Sequence, residues 1–223
     1  MSQTDPSNSP PPPFLLTPSE MQEVEGFVEQ VFGPFEQVLD EIESPDVHID
    51  IIPVPPTPDR PWLALVTMGM SAYPMKTPEG VPPFAEVFVL LPKNWPTSAD
   101  EIRTKGEDAW WPFRWLKNVA RLPIATDSWV GEGHSSADDP PQAVSPNCDF
   151  VAFLLTQRLW SDDATALHLQ GHTKSVRFIQ LVPLFQRELD FRAQHGTKAL
   201  LEQFDRSGLG PHELADPKRP SVI

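Results

Sequence analysis

The chain has 223 residues, with 31 Asp and Glu against 17 Lys and Arg, for a net charge of −14. Its 39% hydrophobic content, with 13 Phe and 7 Trp, supplies a core and excludes a wholly disordered chain. A single Cys excludes a disulfide framework or multi-cysteine metal site, and no apolar run approaches the ~18 residues of a membrane span.

The first residues, MSQTDPSNSPPPP, lack the basic and apolar segments of a secretory signal, so the expected compartment is the cytoplasm. Residues 1–16 read as a disordered, proline-rich arm, and residues 17–223 as one domain. Thr17-Pro18-Ser19-Glu20 is a helix start: Thr17 caps free amides, Pro18 fits the first helical position and Glu20 completes a capping box. Met21, Val24, Phe27, Val28, Val31, Phe32 and Phe35 recur at helical spacing, and Val38, Leu39 and Ile42 extend the pattern. This predicts a helix over 18–43, bent near Pro34. Val47 to Ile52 alternates as a strand, and five prolines from Pro53 to Pro61 make a stiff loop. Trp62 to Met70 and Phe84 to Leu91 are two further strands, joined by a turn at Gly69 to Pro74. Strand after strand without an intervening helix argues antiparallel pairing. A short helix is predicted over Ala99 to Ala109, and a better one opens at Pro112 and ends before Pro123. A long polar loop then covers Asp127 to Asn147. Phe150 to Thr156 and Ser175 to Val182 read as buried strands, followed by helices over 184–194 and 197–206 that stop at Gly196 and Gly208. The fold class is α+β: a mostly antiparallel mixed sheet flanked by helices.

Charge is unevenly placed. Twelve acids precede the first base, Arg60, so the N-terminal quarter carries −12 and the remainder is nearly balanced. Phosphate recognition needs the opposite sign, which argues against nucleic acid. An acidic face on the first helix, including Glu23, Glu25 and Glu29, suits steering of a basic protein; alternatively, it only solvates that helix.

Several stretches in this order resemble the Suppressor of fused family. They are HIDIIPVPPTPDRPWLALVTMGMSAYPM (His48 to Met75), FAEVFVLLPKNW (Phe84 to Trp95), WWPFRWLKNVARLP (Trp110 to Pro123), GEGHS (Gly131 to Ser135), and the terminal VRFIQLVPLFQREL, HGTKALLEQF and DPKRPSV. The resemblance spans roughly 20–223. It implies a protein-binding domain. The metazoan relative couples this domain to a second one and clasps an extended peptide by strand addition. Short bacterial members have been proposed as immunity proteins against secreted toxins. The chain ends after one such domain, so Hedgehog-type signalling is not inferred.

Candidate chemistry is thin. His168 and His172 are four apart, but Gly171 interrupts any helix and Leu169 replaces the glutamate of a zinc-protease motif. Gly69-Met70-Ser71-Ala72-Tyr73 lacks the last glycine of a nucleophile elbow and is followed by Pro74. Gly131-Glu132-Gly133-His134 lacks dinucleotide-loop spacing, although His134 could act as a base. Cys148 reads as a small core residue, and the pairs Asp138-Asp139 and Asp162-Asp163 as turns. Trp111 and Trp115 share a helical face and read as core. The sequence therefore points to a non-catalytic binding protein with no cofactor and no metal. Its partner would be a basic toxin domain or an extended peptide, not nucleic acid or a membrane. The candidate binding residues are Glu23, Glu25, Glu29, Gly69, Met70, Ser71, Tyr73, Gly133 and His134. The alternatives are a scaffold that sequesters an extended peptide, and a hydrolase or metal-dependent enzyme using His134.

Overall fold

A computed structural model describes residues 12–158 and 167–223. The strands are β1 (Asp50–Val54), β2 (Trp62–Met68), β3 (Phe84–Pro92), β4 (Ser135–Ala137), β5 (Phe150–Thr156), β6 (His168–Gln170) and β7 (Ser175–Phe185). They form one mixed sheet in the order β1-β2-β3-β7-β5-β4, with β6 also paired to β7. Among the described pairs only β3 and β7 run parallel. The α+β class with a mostly antiparallel sheet is therefore correct.

Side-chain alternation splits the sheet into two faces. Leu63, Leu65, Val87, Val89, Ile179 and Leu181 face the long helix α3 (Glu107–Thr126), preceded by the short α2 (Ala99–Lys105). Ala64, Val66, Phe88, Leu90 and Phe178 face α1 (Pro18–Val31). Further along the α1 side, Ala152, Leu154, Val182 and Leu184 pack on α5 (Thr197–Ser207), which follows α4 (Gln186–His195). A register shift in β5 between Phe150 and Ala152 breaks the alternation. It puts Phe150 and Phe153 on one side, where both rings meet the fully buried Trp111, at 6.2 and 5.8 Å.

Helix α1 starts as predicted. Thr17 N donates to Glu20 Oε2 at 2.7 Å and Glu20 N to Thr17 Oγ1 at 3.3 Å. It does not bend and continue to 43, however; it stops at Val31. Gly33 takes φ 110° with the Arg60 guanidinium lying over it, and Pro34 has no N–H with which to continue. Leu39 instead bridges the outer edge of β1, donating to Ile51 O at 2.8 Å and accepting from Ile51 N at 3.1 Å. The arm also joins the fold before Thr17. Phe14 donates to Asp46 O and accepts from His48 N, and its ring meets Tyr73 edge-on at 5.2 Å. Residues 1–11 and the Asp162-Asp163 pair lie outside the described residues.

Pro112 does not open α3, nor does Pro123 end it; both lie inside. The break falls earlier, at Gly106, whose φ of 59° ends α2 and starts α3. The loop predicted over 127–147 contains β4, paired antiparallel with Phe153 and its neighbours on β5. Cys148 is buried, and burial pushes its thiol up to about 11, which suits the inert core role.

Candidate functional site

The ends of β2 and β5 and the starts of β3, β4 and β7 all lie at one end of the sheet, where two of the predicted motifs gather. The first is the turn after β2. Gly69 has φ 134° and packs against His48 O so closely that a Cβ would collide with it. Met70 and Ser71 are buried, so they shape the turn rather than present themselves to a partner. Ser71 Oγ donates to the fully buried Glu86 at 2.6 Å, and Glu86 also accepts from Gly69 N, Ser71 N and Thr67 Oγ1. Burial raises the Glu86 pKa against the pull of these four donors. Ser71 O accepts from Lys174 Nζ at 2.6 Å, and that ammonium also pairs with Glu20 Oε1 at 2.8 Å. Ser71 is thus committed on both sides, without a free hydroxyl for nucleophilic chemistry.

The second motif is Gly131 to Ser135. Gly133 N donates to Leu155 O and Leu155 N to His134 O, which extends the β4–β5 ladder backwards. Gly133 O accepts from Arg192 Nη2 at 2.6 Å and Thr197 Oγ1 at 3.2 Å, so α4 and the start of α5 hold the loop. The His134 ring lies 4.4 Å from Trp129. Burial, and then the Arg192 and Arg177 charges, lower its pKa from 6.5, favouring the neutral ring. Beside it a groove of about 400 Å³ is lined by Leu122, Trp129, His134, Ser135, Leu155 and Arg192. Strand β4 borders this groove as the last strand of the sheet, with Ser135 and Ala137 exposed and no further strand paired to it among the described residues.

Three strands separate β2 from β4, roughly 19 Å at the usual strand spacing. Arg177, which sequence reasoning passed over, connects the two motifs. It is 7% exposed, and it donates to Pro82 O on one side and Val130 O on the other, at 3.1 and 3.3 Å. Lys76 adds a second link, with its N bonded to Ser128 O and its ammonium to Asp127. The signal was present in VRFIQLV, where one guanidinium is the only charge in a largely apolar strand.

The α1 acids lie elsewhere. Helix α1 packs on the β1-to-β7 part of the sheet, away from β4, so Glu23, Glu25 and Glu29 do not join the His134 groove. Glu29 is exposed and Glu25 half-buried, while Glu23 packs against Gly171 with Oε1 buried and unpartnered among the described residues. The acidic quarter is also partly neutralised within the fold. Glu41 pairs with Lys117 and Arg121 at 2.7 and 2.6 Å, and Asp46 with Arg121. Burial would raise the Glu41 pKa, but Arg121, Lys117, Ile49 N and Ser44 together lower it to about 2.

His168 lies on β6 beside Gln170 and Ser175, and His172 in the turn before β7. Among the described residues no three His, Cys, Asp or Glu side chains gather to hold a metal ion, and no helix is long and apolar enough to cross a membrane.

Fold and site together define a helix-flanked mixed-sheet domain whose shaped features are an edge strand and two tethered loops. The family profile described as Suppressor of fused protein (SUFU) matches residues 45–220, and the chain belongs to that family. A search of curated protein sequences finds no match. Among solved structures, a SUFU homologue from Neisseria gonorrhoeae aligns with TM-score 0.61 at 16% identity, covering 92% of this chain and 97% of that one. A chain of the Sufu–Fu complex aligns with TM-score 0.65 at 16% identity, covering 92% and 93%. Drosophila Suppressor of fused aligns with TM-score 0.62 at 18% identity; the match covers 99% of this chain but only 54% of the Drosophila one. At these identities the structural likeness speaks for the fold.

Proposed function

We propose that this protein is a non-catalytic binding module that sequesters a protein partner in the cytoplasm, and that the partner is a toxin domain which it neutralises as an immunity protein. The observation that carries the reading is β4: an exposed edge strand beside a groove lined by Trp129 and His134. An unpaired edge offers backbone donors and acceptors to an extended segment, and an adjoining aromatic pocket offers a seat for one side chain. A relative of this fold occurs in a complex with Fu, which supports binding as the mode of action. Glu25 and Glu29 form no ion pair among the described residues and lie outside the groove, which suits steering of a basic partner rather than direct docking. A scaffold that holds an extended peptide would use the same edge, so the partner distinguishes the two readings.

The test is affinity capture of tagged protein from its native cells, with elution in salt steps and hydrogen-exchange mapping of the captured complex. The expected result is one basic protein in near-stoichiometric amount, released by moderate salt, with protection of residues 133–137. Growth arrest by that protein, relieved by co-expression of this chain, would establish the immunity role; capture of a non-toxic regulator through 133–137 would favour the scaffold. Failure to retain any partner, or protection that spares β4, would overturn the proposal.

A further inference from the structure

The opposite edge of the sheet carries a second surface. Two cavities, of about 370 and 280 Å³, adjoin at Thr97, which lines both, along the cleft between the 36–40 segment, β1 and α2–α3. The larger half is apolar, walled by Leu39, Ile51, Ile102, Trp110 and Phe113. Trp110 is 39% exposed and stacks flat on Phe113, with centroids 5.2 Å apart and planes within 10°. Ile42, two residues beyond Asp40, is 97% exposed. An exposed Trp in the wall of an apolar groove is the composition of an interaction surface.

Charge selects the occupant. The cations on the wall are already paired within the fold: Lys117 with Glu41 at 2.7 Å, and Arg103 with Asp100. The carboxylates of Glu36 and Asp40, one in each half of the groove, are exposed and form no ion pair among the described residues. The charge left over for a partner is therefore negative. Backbone pairing is closed off here, because Leu39 takes both hydrogen bonds of Ile51 and Pro53 has no N–H to offer. Recognition must run through side chains.

We propose that this groove binds a short amphipathic, basic helix of a partner protein, seating an apolar side chain against Trp110 and Ile102 and placing Lys or Arg against Glu36 and Asp40. The site is independent of the β4 edge.

A labelled, amidated Leu/Lys amphipathic peptide of about four helical turns serves as the probe, with a Leu/Glu peptide of equal length as control; binding is read by fluorescence anisotropy at physiological salt. The expected result is saturable binding of the Leu/Lys peptide only. It should weaken about tenfold or more in Trp110→Ala and in Glu36→Lys/Asp40→Lys, a typical effect of removing an anchor or reversing complementary charge. All five positions altered in these variants and the control are exposed, and unchanged thermal melts establish that the variants are folded. The control Glu202→Lys/Asp205→Lys, which reverses two exposed charges on α5 outside the groove, should leave the affinity within about twofold. Equal weakening by the control, equal binding of the Leu/Glu peptide, or no binding at all would overturn the proposal. So would a homodimer, seen by sedimentation, that Trp110→Ala abolishes, since the occupant would then be a second copy.

Discussion

Replacing Arg219 by Met should cost more stability than its place four residues before Ile223 would suggest. Its side chain is buried, and all five of its N–H donors are used. Nε donates to Leu214 O at 2.7 Å, Nη1 to Glu188 Oε1 and Pro220 O at 2.7 and 3.0 Å, and Nη2 to Glu188 Oε2 and Pro183 O at 2.8 and 3.0 Å. The guanidinium also lies over the Phe185 and Phe150 rings, at 4.7 and 5.2 Å. In Arg219→Met the fully buried Glu188 keeps only Phe185 N and Val222 N as donors, and three carbonyls lose theirs. Breaking a buried pair in this way costs about 3–5 kcal/mol. At about 2–4 °C per kcal/mol for a chain of this size, Tm should fall by roughly 6–20 °C. Urea unfolding followed by tryptophan fluorescence measures the loss. The double variant Glu188→Leu/Arg219→Met removes the stranded carboxylate as well and should be more stable than Arg219→Met by about 1.5 kcal/mol or more. A single-variant loss below about 1 kcal/mol, or a double variant less stable than the single, would refute the reasoning.

Other outcomes follow from the same contacts. Because the folded Glu41 pKa lies at about 2, below its ordinary 4.5, its network stabilises the fold above pH 4.5 and is lost as pH falls towards 2. Its partners Lys117 and Arg121 are 22% and 19% exposed, and solvent screening limits the effect to about 1–2 kcal/mol; Glu41→Gln should flatten that part of the stability–pH curve in urea titrations. The lowered His134 pKa means that its neutral form contributes stability above pH 6.5, lost as pH falls through the folded value. Arg192→Gln should move the His134 NMR titration only part of the way back to 6.5, because burial is the larger cause; a complete return would contradict that order. Arg177→Met should cost about 1–3 kcal/mol by leaving the Pro82 and Val130 carbonyls without their donor, and should speed hydrogen exchange in both the 76–83 and 128–134 segments. Faster exchange in only one of them would show that the two loops are not tied through this residue.

What could be read from the sequence was what short-range chemistry determines. The Thr17–Glu20 box fixes a helix start by itself, and long apolar strands such as FAEVFVLLP and FVAFLLT are buried wherever the sheet places them. The end of α1 was harder to read, because Val38 and Leu39 keep helical spacing while tertiary pairing draws Leu39 onto the edge of β1. Pro112 and Pro123 read as helix boundaries, since in isolation proline removes an intrahelical bond; burial of the apolar face of α3 outweighs that cost. Strand β4 is three small residues, Ser-Ser-Ala, with no periodicity, and only its pairing with β5 defines it. The site was legible in part: GEGHS does border the groove, whereas Met70 and Ser71 support their turn from within. The single glutamate of FAEVFVLLP and the single arginine of VRFIQLV were the available signals for that internal support.

The parallel contact between β3 and β7 also bears on how the chain reaches its fold. Phe84 lies opposite Val176, 92 residues later in the sequence. During synthesis β1, β2 and β3 can pair as successive hairpins, but the far edge of β3 stays unsatisfied until β7 has been made. That edge is long and apolar, the kind that recruits strands from other chains, so folding on the ribosome proceeds with an association-prone surface open from the synthesis of Pro92 until Ser175 is reached.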